Sequence, residues 1–352
     1  EHAPVAGLNG AIGVQMINRD FSADGAEAFL PFTQTQSAAL FLVEQKPMSF
    51  GRLEFGARVE HQKIDVNAAT SKLPTPPENV SQTPLSLAAG ALIELGDDHH
   101  LRFNAVRAQR APSVEEEYSF GPHIATGNFE RSPSRLKKET ANNLELGVDR
   151  HKGRWTWSAS VYVNEIHDFA YLQSVDQGLN ADGTAGAGPG ANAADGDADL
   201  VDEDGVFDAV NGEFTLREYR QADARFYGAE AETAYALLEG PMKLSVHLFG
   251  DVVRGKLKSG GDLPRITPVR AGIGLEGEYA EFSAGVHLTG VERQDRTGDL
   301  ENPTSSHTLL SADLGYTLRA NALAVTLYLR GRNLLDDEVR EHTSFLKDAV
   351  AA

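Results

Sequence analysis

With no Cys among its 352 residues the chain has no thiolate metal site and no disulfide scaffold, and the side chains left for a metal are its 11 His and 51 Asp plus Glu. His123 follows a Gly-Pro step, with Glu115, Glu116, Glu117 and Glu130 nearby in sequence. Neutral imidazole together with carboxylate is a donor set for borderline divalent metals, with Zn–N distances of about 2.0–2.1 Å. The competing reading is a solvent-exposed or loop-packing histidine. His342 lies beside Glu338 and Glu341, and there loop packing or hydrogen bonding competes with a metal-facing role.

A second constellation is acidic. Asp195, Asp197, Asp199, Asp202 and Asp204 precede Gly205 in an Asp/Gly/Ala-rich stretch. Alternate carboxylates before a glycine suit a hard cation such as Ca²⁺, which takes oxygen ligands at roughly 2.3–2.6 Å. The spaced terminal Glu of a full EF-hand is missing. Without an ion, such composition reads as a disordered loop. The two readings divide on whether millimolar Ca²⁺ orders the segment.

No catalytic arrangement stands out: there is no nucleophile elbow, no phosphate-cradling glycine loop and no helix-borne metal pair. The chain is therefore read as a non-enzyme. Its formal charge of −19 argues against nucleic acid and favours cations or cationic surfaces.

The elements that must carry these residues have a period of two. Val269, Ala271, Ile273, Leu275, Gly277 and Tyr279 alternate with positions that include Arg270, Glu276 and Glu278. Trp155, Trp157, Ala159, Val161 and Val163 alternate with Thr156, Ser158, Ser160, Tyr162 and Asn164. About thirteen strand-like runs follow one another, the last expected over 321–337. The joints after 47, 96, 152, 237, 280 and 319 are only a few residues long, and the others are long. Strict short-long alternation is the signature of an outer-membrane barrel, with tight periplasmic turns and long external loops. No apolar run reaches the roughly 18 residues of a spanning helix, which such a barrel does not need.

The fold class is thus all-β, an antiparallel transmembrane β-barrel, read over 1–352 as one partial barrel with long external loops near 112–139 and 173–215. An odd strand count would leave unpaired edges in lipid, so further strands are expected outside the sequence, as is a targeting segment. Tyr162, Phe169, Tyr171, Tyr219, Phe226, Tyr227, Tyr235, Tyr279, Tyr316 and Tyr328 sit largely toward strand ends, as an interfacial girdle requires. His247, His287 and Asp251 fall on the lumen-facing phase, either as a relay for a passing cation or as plain polar wall. His99 and His100 lie at a short periplasmic turn, far from any capture site. His2, His61, His151, His167 and His307 form no constellation by sequence.

Several segments resemble the C-terminal barrel of TonB-dependent outer-membrane receptors. They are 24–31 (DGAEAFLP), 53–60 (LEFGARVE), 107–113 (RAQRAPS), 116–118 (EEY), 143–147 (NLELG), 224–230 (ARFYGAE), 263–270 (LPRITPVR) and 331–335 (GRNLL). In this order they cover nearly the whole chain. Segments 121–127 (GPHIATG) and 341–348 (EHTSFLKD) resemble the branch that contains the zinc-uptake receptors.

The resemblance implies a parent barrel of about 22 strands in a Gram-negative outer membrane, with a plug bearing a TonB-binding box. The plug, the box, roughly eight leading strands and the final strand are not in this sequence. It also implies TonB-driven import of a metal ion or metal complex, zinc preferred over a ferric siderophore or haem. A passive pore or surface barrel is the rival. The implied metal set is His123, His342, Glu116 and Glu130, with zinc as ligand, no required cofactor, and Ca²⁺ confined to the acidic loop. The implied partners are the TonB complex, reached through the plug, and outer-membrane lipid.

Overall fold

The computed structural model describes residues 1–2, 4–25, 27–96, 98–176, 198–208, 211–320 and 323–349. In chain order the strands are β1 (Asn9–Phe21), β2 (Thr33–Met48), β3 (Gly51–Val66), β4 (Val80–Gln82), β5 (Leu85–Gly96), β6 (His99–Arg110), β7 (Phe120–His123), β8 (Asn128–Arg131) and β9 (Glu139–Arg150). They continue with β10 (Trp155–Ser174), β11 (Leu200–Val201), β12 (Phe214–Leu238), β13 (Met242–Leu257), β14 (Arg270–Tyr279), β15 (Phe282–Val291), β16 (His307–Ala320) and β17 (Leu323–Gly331). A short α-helix, α1 (Val114–Tyr118), lies between β6 and β7.

Antiparallel pairing runs β1-β2-β3-β5-β6-β9-β10-β12-β13-β14-β15-β16-β17. These form the wall, while β4, β7, β8 and β11 belong to the long connections. The wall is open, with β1 and β17 as its edges. Turns alternate as expected, tight after β2, β5, β9, β12, β14 and β16 and long elsewhere.

Register gathers the period-two pattern into continuous rows. On the outer face Val14 pairs with Leu40, Leu40 with Val59, and Val59 with Leu85. Farther round, Phe103 faces Leu146 and Leu146 faces Val161; beyond them come Leu248, Ile273 and Leu288. All ten of these side chains are exposed. An apolar band of this extent is unfavourable in water and is matched by hydrocarbon. On the lumen face His100 pairs with Asp149, Asp149 with Ser158, and Ser158 with Glu232.

The buried apolar clusters lie at the loop end, where the long connections pack against the outer ends of β3 and β12. One joins Phe129, Val175, Val201, Phe214 and Leu216; the other joins Leu30, Ile64, Val114 and Tyr118.

Three details differ from the sequence reading. The final strand was expected to reach 337 but stops at Gly331, because Asn333 and Asp336 take left-handed φ of 48° and 54°, which a strand cannot accommodate. The external loop 112–139 contains α1, β7 and β8, which the strand pattern did not assign. The aromatic girdle is smaller than expected. Tyr235, Tyr279 and Tyr316 join Trp155 and Phe282 on the outer face near the tight turns, through Tyr235–Trp155, Phe282–Tyr279 and Phe282–Tyr316 pairings. Tyr162 and Phe226 share the lumen phase with Gly228 and Asn164, and Tyr219 belongs to the loop layer.

The two faces make opposite demands on a charge. Leu146→Lys on the outer band should destabilise the folded protein in lipid vesicles by about 2–4 kcal/mol, whereas Asn143→Lys on the lumen face should have little effect. Urea unfolding from vesicles measures both; equal losses would contradict the assignment of faces.

Candidate metal-binding sites

The outer site is built on the long end of β12, which outruns β13: the two stop pairing at Ala224–Leu257. Above that point β8 takes the vacated edge, pairing in parallel with Thr215–Glu218. β7 and β8 form a hairpin that turns through Gly127 in a left-handed conformation at φ 64°. Phe129 anchors it in the apolar cluster with Val201 and Leu216, and Phe120 N–H donates to the Phe29 carbonyl at 2.8 Å.

Cross-strand pairing places His123 opposite Asn128 and Gly121 opposite Glu130, so His123 and Glu130 are diagonal neighbours on one face. His123 Nδ1 lies 2.7 Å from Glu130 Oε1, and its ring stacks on Phe29 at 4.7 Å with planes 19° apart. Glu130 is buried, and its other oxygen accepts from the Tyr219 hydroxyl at 3.3 Å. Burial, reinforced by Glu130, pushes the Tyr219 phenol upward, so it stays protonated and a donor. A carboxylate on Nδ1 fixes the imidazole tautomer and makes Nε2 the lone-pair nitrogen, the arrangement common behind metal-bound histidines. Glu130 thus lies on the Nδ1 side of the His123 ring and fixes its orientation.

Glu116 is engaged elsewhere. Its carboxylate accepts from Ser113 N–H at 2.8 Å, and its own N–H donates to Ser113 Oγ at 3.3 Å, a complete capping box at the start of α1. Both oxygens also take Arg110, at 2.7 and 3.0 Å.

His342 is fully buried and packs the last loop. Its Nδ1 contacts Thr304 Oγ1 at 3.1 Å and Lys347 Nζ at 3.3 Å, while Nε2 lies 3.4 Å from Glu301 Oε1. It does not join His123. In the same loop Phe345 lies against two guanidiniums, Arg265 at 4.3 Å and Arg217 at 5.2 Å from the ring centre. Burial lowers the Arg217 guanidinium to about 10. Arg217 Nε in turn donates to Asn128 Oδ1 at 2.6 Å, so the last loop and the β7–β8 hairpin share an anchor.

In the acidic stretch, Asp195 and Asp197 lie outside the described residues. Asp199 is buried, and its N–H donates to the Val175 carbonyl at 2.9 Å. Asp202 Oδ1 accepts the N–H groups of Asp204 and Val206 at 3.0 and 2.8 Å, closing a turn on itself. Gly205 (φ 79°) lies so close to the Phe129 ring that a Cβ would meet it at 2.6 Å. The described half of the loop is thus held by backbone donors.

On the lumen wall the structure brings His247 and His287 to one carboxylate, Glu276, at 3.4 and 3.8 Å. Gly274 stands between them, where a Cβ would fall 2.6 Å from His287 Nδ1. Asp251 is separate: it pairs with Arg270, 2.9 Å from Nη2 to Oδ1.

Sequence reasoning missed one cluster. At the opposite end of the wall, His100 Nδ1 and His151 Nε2 both approach Asp149 Oδ2, at 3.0 and 2.7 Å. Arg102 Nε lies 2.9 Å from the other oxygen. The sequence carries no local signal for it, because only the antiparallel pairing of β6 with β9 across a long loop sets the start of one beside the end of the other.

The family model described as "TonB dependent receptor-like, beta-barrel" matches residues 8–334, and the chain belongs to this family. Among solved structures, it resembles the copper transporter OprC at 22% identity and TM-score 0.67, covering 89% of this chain and 44% of that one. The FrpB iron transporter from Neisseria meningitidis (F5-1 variant) aligns at 13% identity and TM-score 0.60, covering 97% and 50%. The ferric yersiniabactin uptake receptor FyuA from Yersinia pestis aligns at 14% and 0.53, covering 94% and 51%. The chain therefore spans about half the length of these structures, and the likeness to them is one of fold.

Glu301 provides the acid test of the last loop. Burial would raise its carboxyl, but His342, Lys347 and the Gly298 N–H outweigh that and bring it down to about 2 from an ordinary 4.5. A depressed folded-state value means its stabilising share is intact above pH 4.5 and lost as pH falls toward 2. Pepsin should begin to cut 332–349 across that window in the wild type, and already at pH 4.5 in Glu301→Gln. Identical profiles would remove Glu301 as the latch.

Proposed function

We propose that this chain is the barrel part of an outer-membrane receptor that binds a divalent metal ion or metal complex in its outer loop layer and imports it in a TonB-dependent manner. Zinc is the preferred ion. The observation that carries this reading is the His123–Glu130 pair, with Nδ1 committed to a buried carboxylate and Nε2 left as the lone-pair nitrogen at a half-buried outer position. Imidazole nitrogen with carboxylate support suits zinc and its neighbours in the first row. In this reading the acidic external loops concentrate cations before specific ligation, and Ca²⁺ is a candidate ion for the 195–204 stretch. Transport is binding followed by gated passage, with no bond making. Coupling to the TonB complex would run through a plug domain of the kind the family resemblance implies.

The kinship in fold with iron and ferric-siderophore receptors favours one second reading, a ferric-chelate receptor of the same family. The two differ in what His123 must do. In a zinc receptor, His123→Ala should weaken binding at least tenfold, and Glu130→Gln, which only frees the ring, should cost about 10–100-fold. Competition with a chromophoric zinc chelator on the full-length protein in detergent measures both. Unchanged zinc affinity in both variants would exclude this site. Conductance in planar bilayers without TonB dependence would point instead to a passive pore.

A further inference from the structure

The cluster at the tight-turn end of the wall is independent of the outer site and has its own chemistry. His100 is the second residue of β6, Asp149 lies near the end of β9, and His151 follows that strand in the turn to β10. Pairing of β6 with β9 sets His100 directly opposite Asp149 on the lumen face. The turn then brings His151 back to the same carboxylate, with the two imidazole centres 5.8 Å apart. One ring nitrogen from each histidine and one Asp149 oxygen lie within 4.8 Å of one another.

We propose that His100, Asp149 and His151 form a second divalent-metal site on the lumen wall, at the periplasmic end of the barrel, for a first-row ion of the zinc class. Four features support it. First, the donors are of the right kind: two imidazole nitrogens and one carboxylate oxygen suit Zn²⁺ and neighbouring ions rather than Ca²⁺ or Mg²⁺, which take oxygen ligands. Second, the geometry is close. Ligands at 2.0–2.2 Å around a tetrahedral ion stand about 3.3 Å apart. The 3.0 and 2.7 Å contacts to Asp149 must open by about 0.3 and 0.6 Å to reach that spacing, and the two imidazole nitrogens, within 4.8 Å of each other, must settle to it as well. The exposed turn residue His151 can provide that movement.

Third, the carboxylate is preset. Asp149 is 1% exposed, and Arg102 approaches Oδ1, leaving Oδ2 as the atom both histidines face. Burial of that carboxylate among three basic groups holds the ligand oxygen in place before any ion arrives. Fourth, the site is accessible. An open recess of about 400 Å³ beside His151 is lined by Ser158, Glu232 and His247 on the lumen face. Three protein ligands leave a coordination position for water or for a ligand being handed on. This is the pattern of an exchangeable site rather than a closed structural one. Its place, at the far end of the lumen from His123, suits an ion leaving the barrel.

The test uses full-length protein purified in detergent, with zinc alone as probe. The His123→Ala background silences the outer loop site. Equilibrium dialysis counts bound ions, and X-ray absorption at the zinc edge reports imidazole neighbours. His123→Ala should still bind one zinc with two imidazoles in its shell. Adding His151→Ala should weaken that binding at least tenfold and remove one imidazole signal, and His100→Ala should do the same. His151 lies outside the strands, so its substitution leaves the wall intact even where His100→Ala impairs folding. Retention of zinc with an unchanged shell in His151→Ala overturns the assignment, as does a His123→Ala protein that binds no zinc. Wild-type and His123→Ala proteins that bind the same number of ions would count against the outer site and leave this one standing.

Discussion

The structure depends on one constraint. The side chains that project outward from the wall form a continuous apolar belt, and a belt in hydrocarbon can be supported only by a backbone whose polar groups are bonded strand to strand. Every residue of Leu42, Ala57 and Leu87, for example, sits in an unbroken ladder from β2 to β5. In lipid an unpaired N–H or C=O costs several kcal/mol, so regular antiparallel pairing is the only wall available to such a sequence. The same constraint allows irregular structure only beyond the belt, and it allows polar groups only on the inner face.

The remaining features follow from that division. A wall one strand thick encloses no dry core, so the buried apolar clusters form where connections are long enough to fold over one another. The loop layer is accordingly held by Phe129, Val201 and Leu216 on one side and by Ile64, Val114 and Tyr118 on the other. It is rigid enough to hold His123 against Glu130, which plain coil would not do. The inner face carries His100, Asp149, Glu232, His247, Glu276 and His287, polar groups that the outer face could not accommodate. Imidazoles and carboxylates are therefore found at the outer end, along the lumen and at the far end, while the belt between remains apolar.

Much of this was legible in the sequence, because strand alternation and tight turns are local properties. Val269 to Tyr279 declares its faces by residue type alone, and Gly153 or the 238–240 turn marks a reversal without reference to distant residues. The face of His247 and His287 followed directly from the same alternation. What escaped was non-local. The parallel pairing of β8 with β12 joins residues nearly ninety positions apart (Asn128 with Thr215), and no spacing rule announces it. His100 and His151 looked unrelated because the loop between β6 and β9 hides their register. Glu116 carries a local signal of another kind: Ser113-x-x-Glu116 is a readable capping pattern, and its carboxylate is held in that cap and by Arg110. His342 packs the last loop, the role that competed with a metal-facing one in the sequence.

The belt can be tested residue by residue because the chain has no native cysteine to interfere. Single cysteines at 159–164 in β10, spin-labelled in the full-length protein in lipid with any cysteine outside residues 1–352 replaced by serine, report collision with oxygen, which concentrates in hydrocarbon, and with a water-soluble nickel chelate. Oxygen accessibility should peak at 159, 161 and 163 and nickel accessibility at 160, 162 and 164, in a clean two-residue alternation. A flat profile, or one with the two phases exchanged, would contradict the account at its base.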